Sequence, residues 1–295
     1  MMFLNAQKPG LIKDPYIYKP DSIMLDLEDA VAENQKDAAR FSLYHALKTI
    51  NYRGCERVVR INGLDSPYWK EDIRCSVAGG CDSIRIPKTE SAQDVKLVER
   101  EIAYAEKEFG RPEGSVLIMA AVESARGVMK ALDICESSER LFGIALSGGD
   151  YTKDLQTHIT GTGIELMGAR QNLVIAARAA GVQCFDTVYT DLDNMEGFRQ
   201  DVETIHLMGF DGKSIINHLV IIHPAGIIQV CISSDPLSSK QLIDQMISVF
   251  ICLTDLGYNI VRHGNLLRIQ RCLYSNLITT GKRCKEKVGF TNGIK

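Results

Sequence analysis

Seven charged side chains lie at or just beyond the ends of short apolar runs in this 295-residue chain. Carboxylates in such positions could hold a divalent metal ion or transfer a proton, and a guanidinium or ammonium group could bind an anion. Together they favour an enzyme that acts on a small anionic substrate with a divalent metal. The seven residues are Asp26, Glu28, Asp29, Arg60, Lys88, Glu123 and Asp150.

Eight apolar runs recur between residues 1 and 217, and most are separated by 15 to 30 residues with helical periodicity. This alternation predicts an α/β fold, a (β/α)8 TIM barrel in which the strand ends meet at one mouth. The charged residues would then gather at that mouth. The runs are MMFL (1–4), SIMLDLED (22–29), RVVRIN (57–62), SIRIPK (83–88), VLIMAAVE (116–123), LFGIALSGGD (141–150), CFD (184–186) and GKSII (212–216).

Glu123 and Asp150 end two successive apolar runs, so both carboxylates are expected to enter the mouth from neighbouring strands. Two carboxylates that leave positions open for water and substrate suit Mg²⁺, which prefers oxygen ligands. Each residue also has a structural interpretation. Glu123 could open the next helix, where the helix dipole favours a negative charge, and Asp150 could form a turn after Gly148-Gly149.

Arg60 lies within RVVRING, and its planar guanidinium could bind a substrate carboxylate through two hydrogen bonds. It could equally form an ion pair with Glu28 or Asp29, and the two interpretations are compatible. Alternation along the strand places Asp26 and Glu28 on one face, whereas Asp29 starts the turn or caps a helix. One of these acids could accept a proton. Lys88 could contact an anionic group, although an exposed lysine is the commoner case.

The composition excludes several classes of protein. A net charge of −3 and a pI near 6.1 argue against nucleic acid as an obligate partner. No apolar run is long enough to span a membrane, and no signal peptide is recognised at the N-terminus. The nine cysteines are scattered singly without a CxxC pair, which indicates reduced thiols and a cytoplasmic protein.

The chain changes character near His218. Residues 1–217 carry 25 Lys and Arg against 33 Asp and Glu, a balance of −8, whereas residues 218–295 carry 9 against 4, a balance of +5. The second segment also holds four of the nine cysteines, and its apolar residues follow neither a helical nor a strand period. We therefore predict a catalytic barrel over residues 1–217 and a divergent C-terminal tail over residues 218–295.

These residues also carry a resemblance to a known family. The chain resembles the citrate lyase beta subunits, which are related to malyl-CoA lyases and metal-dependent aldolases, almost without a break from about residue 21 to 217. The resemblance implies a magnesium-dependent (β/α)8 barrel, usually oligomeric, that makes or breaks a carbon–carbon bond beside a thioester. The segments are DSIMLDLEDAV, VVRINGLDSP, IRIPKTESAQDV, MAAVESARGV, SERLFGIALSGGDY, GARQNLVIAARAAG, FDTVYTD and GFDGKSII.

The resemblance implies a role for each site residue. Glu123 and Asp150 would be the Mg²⁺ ligands, with Glu123 also facing the substrate, and Arg60 would bind a substrate carboxylate. Glu28 and Asp29 would surround the metal and the arginine and assist catalysis. The reaction would be cleavage of a citryl thioester to oxaloacetate and an acetyl thioester. The thioester would be borne on an acyl carrier protein with a coenzyme-A-like arm, in a complex that also holds a transferase subunit.

Three departures from the family pattern leave alternatives open. An arginine expected before the first strand is absent from MMFLNAQKPG, Gly149 replaces an acid, and the segment after GKSII does not recover the expected Asn/His-Pro-x-Gln-Ile pattern. The abrupt change after residue 217 is what translation in a shifted reading frame would produce. The alternatives are therefore a malyl-CoA or citramalyl-CoA lyase that uses the same site, or an inactive structural subunit.

Overall fold

Each of the eight apolar runs forms a strand, and the strands form one parallel sheet. The computed structural model describes residues 1–216, 258–263 and 266–271. The strands are β1 (Met2–Asn5), β2 (Ser22–Asp26), β3 (Glu56–Arg60), β4 (Ser83–Ile86), β5 (Leu117–Val122), β6 (Leu141–Leu146), β7 (Gln183–Asp186) and β8 (Gly212–Lys213).

The sheet closes into a barrel. The strand order is β1 to β8 without interruption, and a parallel bridge between Met2 and Ile215 joins the last strand region to the first. Two backbone hydrogen bonds of 2.9 Å hold this seam, from Phe3 N to Ile215 O and from Ile215 N to Met1 O. The predicted (β/α)8 fold is confirmed.

Helices connect the strands in the order that the sequence predicts. Two single 3₁₀ turns, Pro15–Tyr18 and Glu33–Gln35, add to them. The α-helices are α1 (Pro9–Ile12), α2 (Lys36–Thr49), α3 (Trp69–Gly79), α4 (Ala92–Glu108), α5 (Ala125–Met129), α6 (Ala131–Cys135), α7 (Gly148–Asp154), α8 (Ile164–Ala180) and α9 (Met195–Met208).

Helix α4 shows how local sequence sets these boundaries. The Ser91 hydroxyl accepts a hydrogen bond from Asp94 N, and the Asp94 carboxylate accepts one from Ser91 N, so a capping box starts the helix. Gly110 follows the helix with a φ of +64°, a conformation that glycine adopts without strain. One face of the helix is buried in the core, with Val95, Val98, Ile102 and Ala105, whereas Phe109 lies beyond the helix end and is exposed.

Alternation along the strands separates two layers. Outward side chains pack against the helices in the main apolar core, which includes Ile118, Ala120 and Val122 of β5. Inward side chains fill the barrel, where Met119 and Phe185 belong to a second, smaller cluster. A polar side chain near a strand end therefore points into the barrel or towards the helices, depending on its place in this alternation along the strand.

A buried ion network, here called the outer network, joins the last two strands to helices α8 and α9. It consists of Asp186, Lys213, Arg170 and Asp201. Asp186 accepts hydrogen bonds from Arg170 Nε and Nη2, both at 2.9 Å, and from Lys213 Nζ at 2.6 Å. Asp201 pairs with Arg170 Nη2 at 2.8 Å and with Lys213 Nζ at 2.6 Å. Each acid contacts both bases, so the charges are balanced.

Internal contacts divide the chain into two units, Met1–Ile232 and Ser233–Lys295. In the second unit, strands β9 (Tyr258–His263) and β10 (Leu266–Arg271) pair antiparallel. The predicted boundary at residues 217–218, and most of the predicted tail, lie outside the described residues. Within the part of the chain that is described, no helix is long and apolar enough to cross a membrane.

Candidate active site

A row of inward side chains crosses the barrel just below its mouth. The strand register pairs Asp26 with Arg60, Arg60 with Arg85, and Arg85 with Met119, so these residues come from four successive strands. The guanidinium groups of Arg60 and Arg85 lie 5.4 Å and 5.3 Å from the centre of the Phe3 ring. Charged groups that are far apart in sequence therefore meet inside the barrel.

Arg60 is held mainly by Asp26. Its Nε and Nη2 donate to the two Asp26 carboxylate oxygens at 2.7 Å and 2.6 Å, a bidentate pair. Its Nη1 lies 3.0 Å from Glu28 Oε2 and 3.5 Å from Asp29 Oδ2. Burial alone would lower the pKa of Arg60, but the hydrogen bonds and charge of Asp26 outweigh it and raise the pKa. The guanidinium is therefore fixed in one plane.

Glu28 links Arg60 to Lys88. Its Oε1 accepts a hydrogen bond from Lys88 Nζ at 3.0 Å, and its other oxygen pairs with Arg60. Burial raises the pKa of Glu28 to about 7, although the positive charge of Arg60 opposes the rise. Lys88 is 52% exposed, and its φ of +48° is uncommon for a residue with a side chain. Glu28 is thus a buried carboxyl that changes charge near neutral pH.

Asp29 occupies a different environment. It lies in the turn after β2, as one of the two interpretations of the sequence expected, and its side chain is 58% exposed. Its only described contact with the cluster is the 3.5 Å approach to Arg60. Asp29 therefore borders the mouth, whereas Asp26, to which the resemblance gives no role, forms the principal contact with Arg60.

Glu123 follows β5 directly and is 3% exposed. Neither of its carboxylate oxygens has a hydrogen-bond partner of normal geometry. Burial raises its pKa, whereas the charge of Arg85 and the proximity of the Ser147 hydroxyl act in the opposite direction. Buried carboxylate oxygens are rarely left without partners, so Glu123 has two coordination positions to offer.

Asp150 does not end a strand, contrary to the expectation from sequence. Strand β6 ends at Leu146, and the Gly148-Gly149 pair starts helix α7, whose first turn holds Asp150. Its Oδ1 accepts a hydrogen bond from Lys153 Nζ at 2.6 Å, and its side chain is partly exposed. Its negative charge raises the pKa of Glu123, so the two carboxylates lie near each other.

These two carboxylates fit a magnesium ion. Mg²⁺ prefers oxygen ligands, keeps several bound waters and is usually held by one or two carboxylates. Among residues 1–216 no group of three or more His, Cys, Asp or Glu side chains has metal-binding geometry, so a site with three or more such ligands is not supported there. Glu123, with both oxygens unpartnered, and Asp150 are the residues that could hold Mg²⁺.

The sequence interpretation overlooked Arg85. It lies in the middle of SIRIPK, between apolar residues, rather than at a strand end. Its Nη2 donates to Ser147 Oγ at 3.0 Å, and its Nη1 lies 3.8 Å from Met119 Sδ. Arg85 points inward because Ile84 and Ile86 on either side of it pack in the outer core, and because it pairs in register with the inward Arg60. The register is visible only in the structure.

Comparison with known proteins places this arrangement in context. The model of the HpcH/HpaI aldolase/citrate lyase family matches residues 1–218. The chain is 52% identical over 217 residues to the citrate lyase subunit beta of Leuconostoc mesenteroides subsp. cremoris, which covers 74% of this chain and 72% of that protein. It is 32% identical over 225 residues to a (3S)-malyl-CoA thioesterase of Cereibacter sphaeroides, covering 76% and 73%.

A solved structure matches the fold as well. The citrate lyase beta subunit from M. tuberculosis, complexed with oxaloacetate and magnesium, superposes with a TM-score of 0.62 at 27% sequence identity. The match covers 75% of this chain and 92% of that structure. The similarity therefore extends over the whole barrel that carries the charged mouth.

Proposed function

This chain belongs to the HpcH/HpaI aldolase/citrate lyase family, and we propose that it is a magnesium-dependent lyase that cleaves a citryl thioester to oxaloacetate and an acetyl thioester. One observation carries the proposal: Glu123 presents two buried, unpartnered carboxylate oxygens at the mouth of the barrel. A lyase of this kind needs an oxygen-rich metal site beside a cationic group that binds carboxylates, and the mouth combines both.

The residues of the chain would share the work as follows. Glu123 and Asp150 would hold Mg²⁺, and Glu123 would face the substrate. Bound magnesium supplies Lewis-acid polarisation of substrate oxygens. Arg60 keeps donors beyond those taken by Asp26, since a guanidinium carries five N–H groups, and would bind a substrate carboxylate and align the breaking bond.

Glu28 and Asp29 would assist Arg60. Glu28 orients both Arg60 and Lys88, and its pKa of about 7 makes it the carboxyl of the cluster best suited to exchange a proton at neutral pH. Asp29 lies on the exposed side of Arg60, where an arriving carboxylate could displace its long 3.5 Å contact. Substrate binding would then exchange one anionic partner of Arg60 for another.

The chain would work within a larger enzyme. Its relative from Leuconostoc is named as a subunit, which supports a multi-subunit complex. Within that complex we propose an acyl carrier protein with a coenzyme-A-like arm as the bearer of the thioester, a transferase subunit and association of this chain with itself. The proposed location is the cytoplasm.

A second candidate uses the same site on a different thioester. The 32% identity to a malyl-CoA thioesterase favours a malyl-CoA or citramalyl-CoA lyase. The test is to follow oxaloacetate release from citryl-CoA and glyoxylate or pyruvate release from malyl-CoA or citramalyl-CoA, with Mg²⁺ and with EDTA. Magnesium-dependent oxaloacetate release supports the first candidate. Turnover of the other two esters alone supports the second, and no turnover of any supports an inactive structural subunit.

The tail is the subject of a separate proposal. We propose that residues 218–295 do not derive from the family's own C-terminal segment but from a shifted reading frame. The family match ends at residue 218, where the charge balance changes sign. The coding DNA tests this directly. An alternative frame after codon 217 should encode an Asn/His-Pro-x-Gln-Ile segment and an acidic helix, and the absence of such a frame rejects the proposal.

A further inference from the structure

Arg85 is a buried cation whose N–H donors have few hydrogen-bond acceptors. Its side chain belongs to the barrel interior and the residue is 1% exposed. Nη2 donates to the neutral Ser147 hydroxyl, Nη1 has only the Met119 sulfur, and Nε has no hydrogen-bond partner. Burial lowers the pKa of Arg85 to about 10, so the guanidinium is still charged at neutral pH.

Other arginines with largely buried side chains each form an ion pair with a carboxylate. Arg60 is paired with Asp26 at 2.6 Å, Arg140 with Glu106 at 2.8 Å, and Arg170 with Asp186 at 2.9 Å. Within residues 1–216 no carboxylate lies within ion-pair distance of Arg85. Because burying a charge without a partner is costly, this exception needs an explanation. The Phe3 ring at 5.3 Å and the more distant charges of Glu123, Asp26 and Glu28 offset only part of the cost.

The position of Arg85 supplies the explanation. Nη2 lies one hydrogen bond from Ser147, which is partly exposed and belongs to the same mouth as Glu123. Arg60, the other guanidinium of the row, is already held by two oxygens of Asp26. An anionic group that replaced the Ser147 hydroxyl would therefore reach a guanidinium that no described carboxylate approaches to ion-pair distance.

We propose that Arg85 is a substrate-binding residue that receives the second carboxylate of the substrate and so determines specificity for dicarboxylate fragments over monocarboxylate ones. The inference rests on the proposed function, because the fragment of a citryl thioester that becomes oxaloacetate carries two carboxylates. One lies on the carbon that bears the hydroxyl, and the other lies at the end of a methylene arm. Arg60 binds the first, and Arg85 binds the second.

The test compares two stable probes that differ by this one group. Binding of malate, a dicarboxylate, and of lactate, its monocarboxylate counterpart, is measured by calorimetry with Mg²⁺ for the wild type, Arg85→Met and Arg85→Lys. Methionine keeps the length of the stem without a charge. Arg57→Met is the control, since Arg57 pairs with Asp82 at the opposite end of the barrel. Circular dichroism checks that each variant is folded.

We expect the wild type to prefer malate by at least about tenfold, since hydrogen bonds between charged groups are the strong ones. Arg85→Met should lose this preference while its affinity for lactate changes by less than about twofold. Arg85→Lys should keep part of the preference, and Arg57→Met should keep all of it.

Three results would overturn the assignment: a malate preference unchanged in Arg85→Met, an equal loss of both ligands, or no binding of malate by the wild type. An equal loss would mean that Arg85 only supports the charge of Glu123. The proposed function is judged separately. If the malate preference depends on Arg85 but the wild type cleaves no citryl-CoA, the proposed function is wrong and the binding site stands. If the wild type cleaves citryl-CoA but its malate preference does not depend on Arg85, only the binding-site assignment is wrong.

Discussion

Two charged clusters lie near the carboxyl ends of different strands, one inside the barrel at β2 to β5 and the other outside it at β7 and β8. The outer network is closed: Asp186 and Asp201 each contact both Arg170 and Lys213, at distances between 2.6 Å and 2.9 Å. The mouth cluster, formed by Asp26, Glu28, Arg60, Arg85 and Glu123, is only partly closed. Asp26 and Arg60 satisfy each other, but Glu123 and Arg85 retain atoms without partners.

The difference separates structure from function. Buried polar groups are normally all hydrogen-bonded, and a network that satisfies every member fixes the elements that carry it. The outer network does this for β7, β8, α8 and α9. A cluster whose charged groups keep hydrogen-bonding atoms without partners stabilises the free protein less, so these atoms are expected to bind a ligand. In the mouth cluster, both an anion (Glu123) and a cation (Arg85) keep such atoms.

The largest expected effect is at the metal site. Asp150→Asn should abolish magnesium-dependent cleavage of citryl-CoA, because Asp150 supplies one of the two carboxylates proposed to hold Mg²⁺. The midpoint of thermal unfolding should hardly change, since Asp150 is partly exposed. Asp133→Asn, at another exposed ion pair, is the control. Near wild-type activity after EDTA treatment and magnesium restoration would show that Asp150 is not a ligand.

The next largest effect is expected for Arg60→Lys, with roughly a hundredfold loss of kcat/KM, equivalent to ~3 kcal/mol of transition-state stabilisation. Lysine offers a point charge in place of a planar fork, so it cannot hold both Asp26 and a substrate carboxylate. Arg57→Lys, on the other end of the same strand, controls for the substitution itself. A loss of less than threefold would place Arg60 in a structural ion pair.

The outer network should respond in the opposite way. Asp186→Asn leaves Arg170 and Lys213 with too little negative charge in a buried site, so unfolding free energy should fall by about 3 to 5 kcal/mol. Asp133→Asn, which breaks an exposed ion pair with Lys130, should lower the unfolding free energy by less than about 1 kcal/mol. Denaturant unfolding measures both. A large loss of kcat in fully folded Asp186→Asn, without a loss of stability, would contradict the division between the clusters.

The smallest effect concerns the pH dependence of stability. Because burial raises the pKa of Glu28 from 4.5 to about 7, the protonated carboxyl favours the folded state. Its contribution is fully present below about pH 4.5 and is lost as the pH rises through 7. Glu28→Gln should therefore gain stability relative to the wild type as the pH rises from about 4.5 through 7, by no more than about 3 kcal/mol. A relative stability that is constant with pH would refute the buried, protonatable carboxyl.

The sequence predicted the strands better than the contacts between them. The eight apolar runs became eight strands because each run is short, apolar and followed by polar residues. Asp150 was misplaced because a strand and the helix after it can share one apolar and glycine-rich stretch, and Leu146 is where the ladder stops. The bidentate pair of Asp26 and Arg60 and the inward position of Arg85 depend on the register between strands, which no single run encodes.

The central claim is that the unpartnered oxygens of Glu123 serve magnesium, and thermal unfolding of Glu123→Gln with and without Mg²⁺ tests it most directly. Without the ion the variant should be at least as stable as the wild type, because burial disfavours the charge of Glu123 more than Arg85 and Ser147 favour it. Millimolar Mg²⁺ should raise the unfolding midpoint of the wild type and leave that of the variant unchanged. A variant that is less stable without the ion, yet equally stabilised by it, would contradict the account.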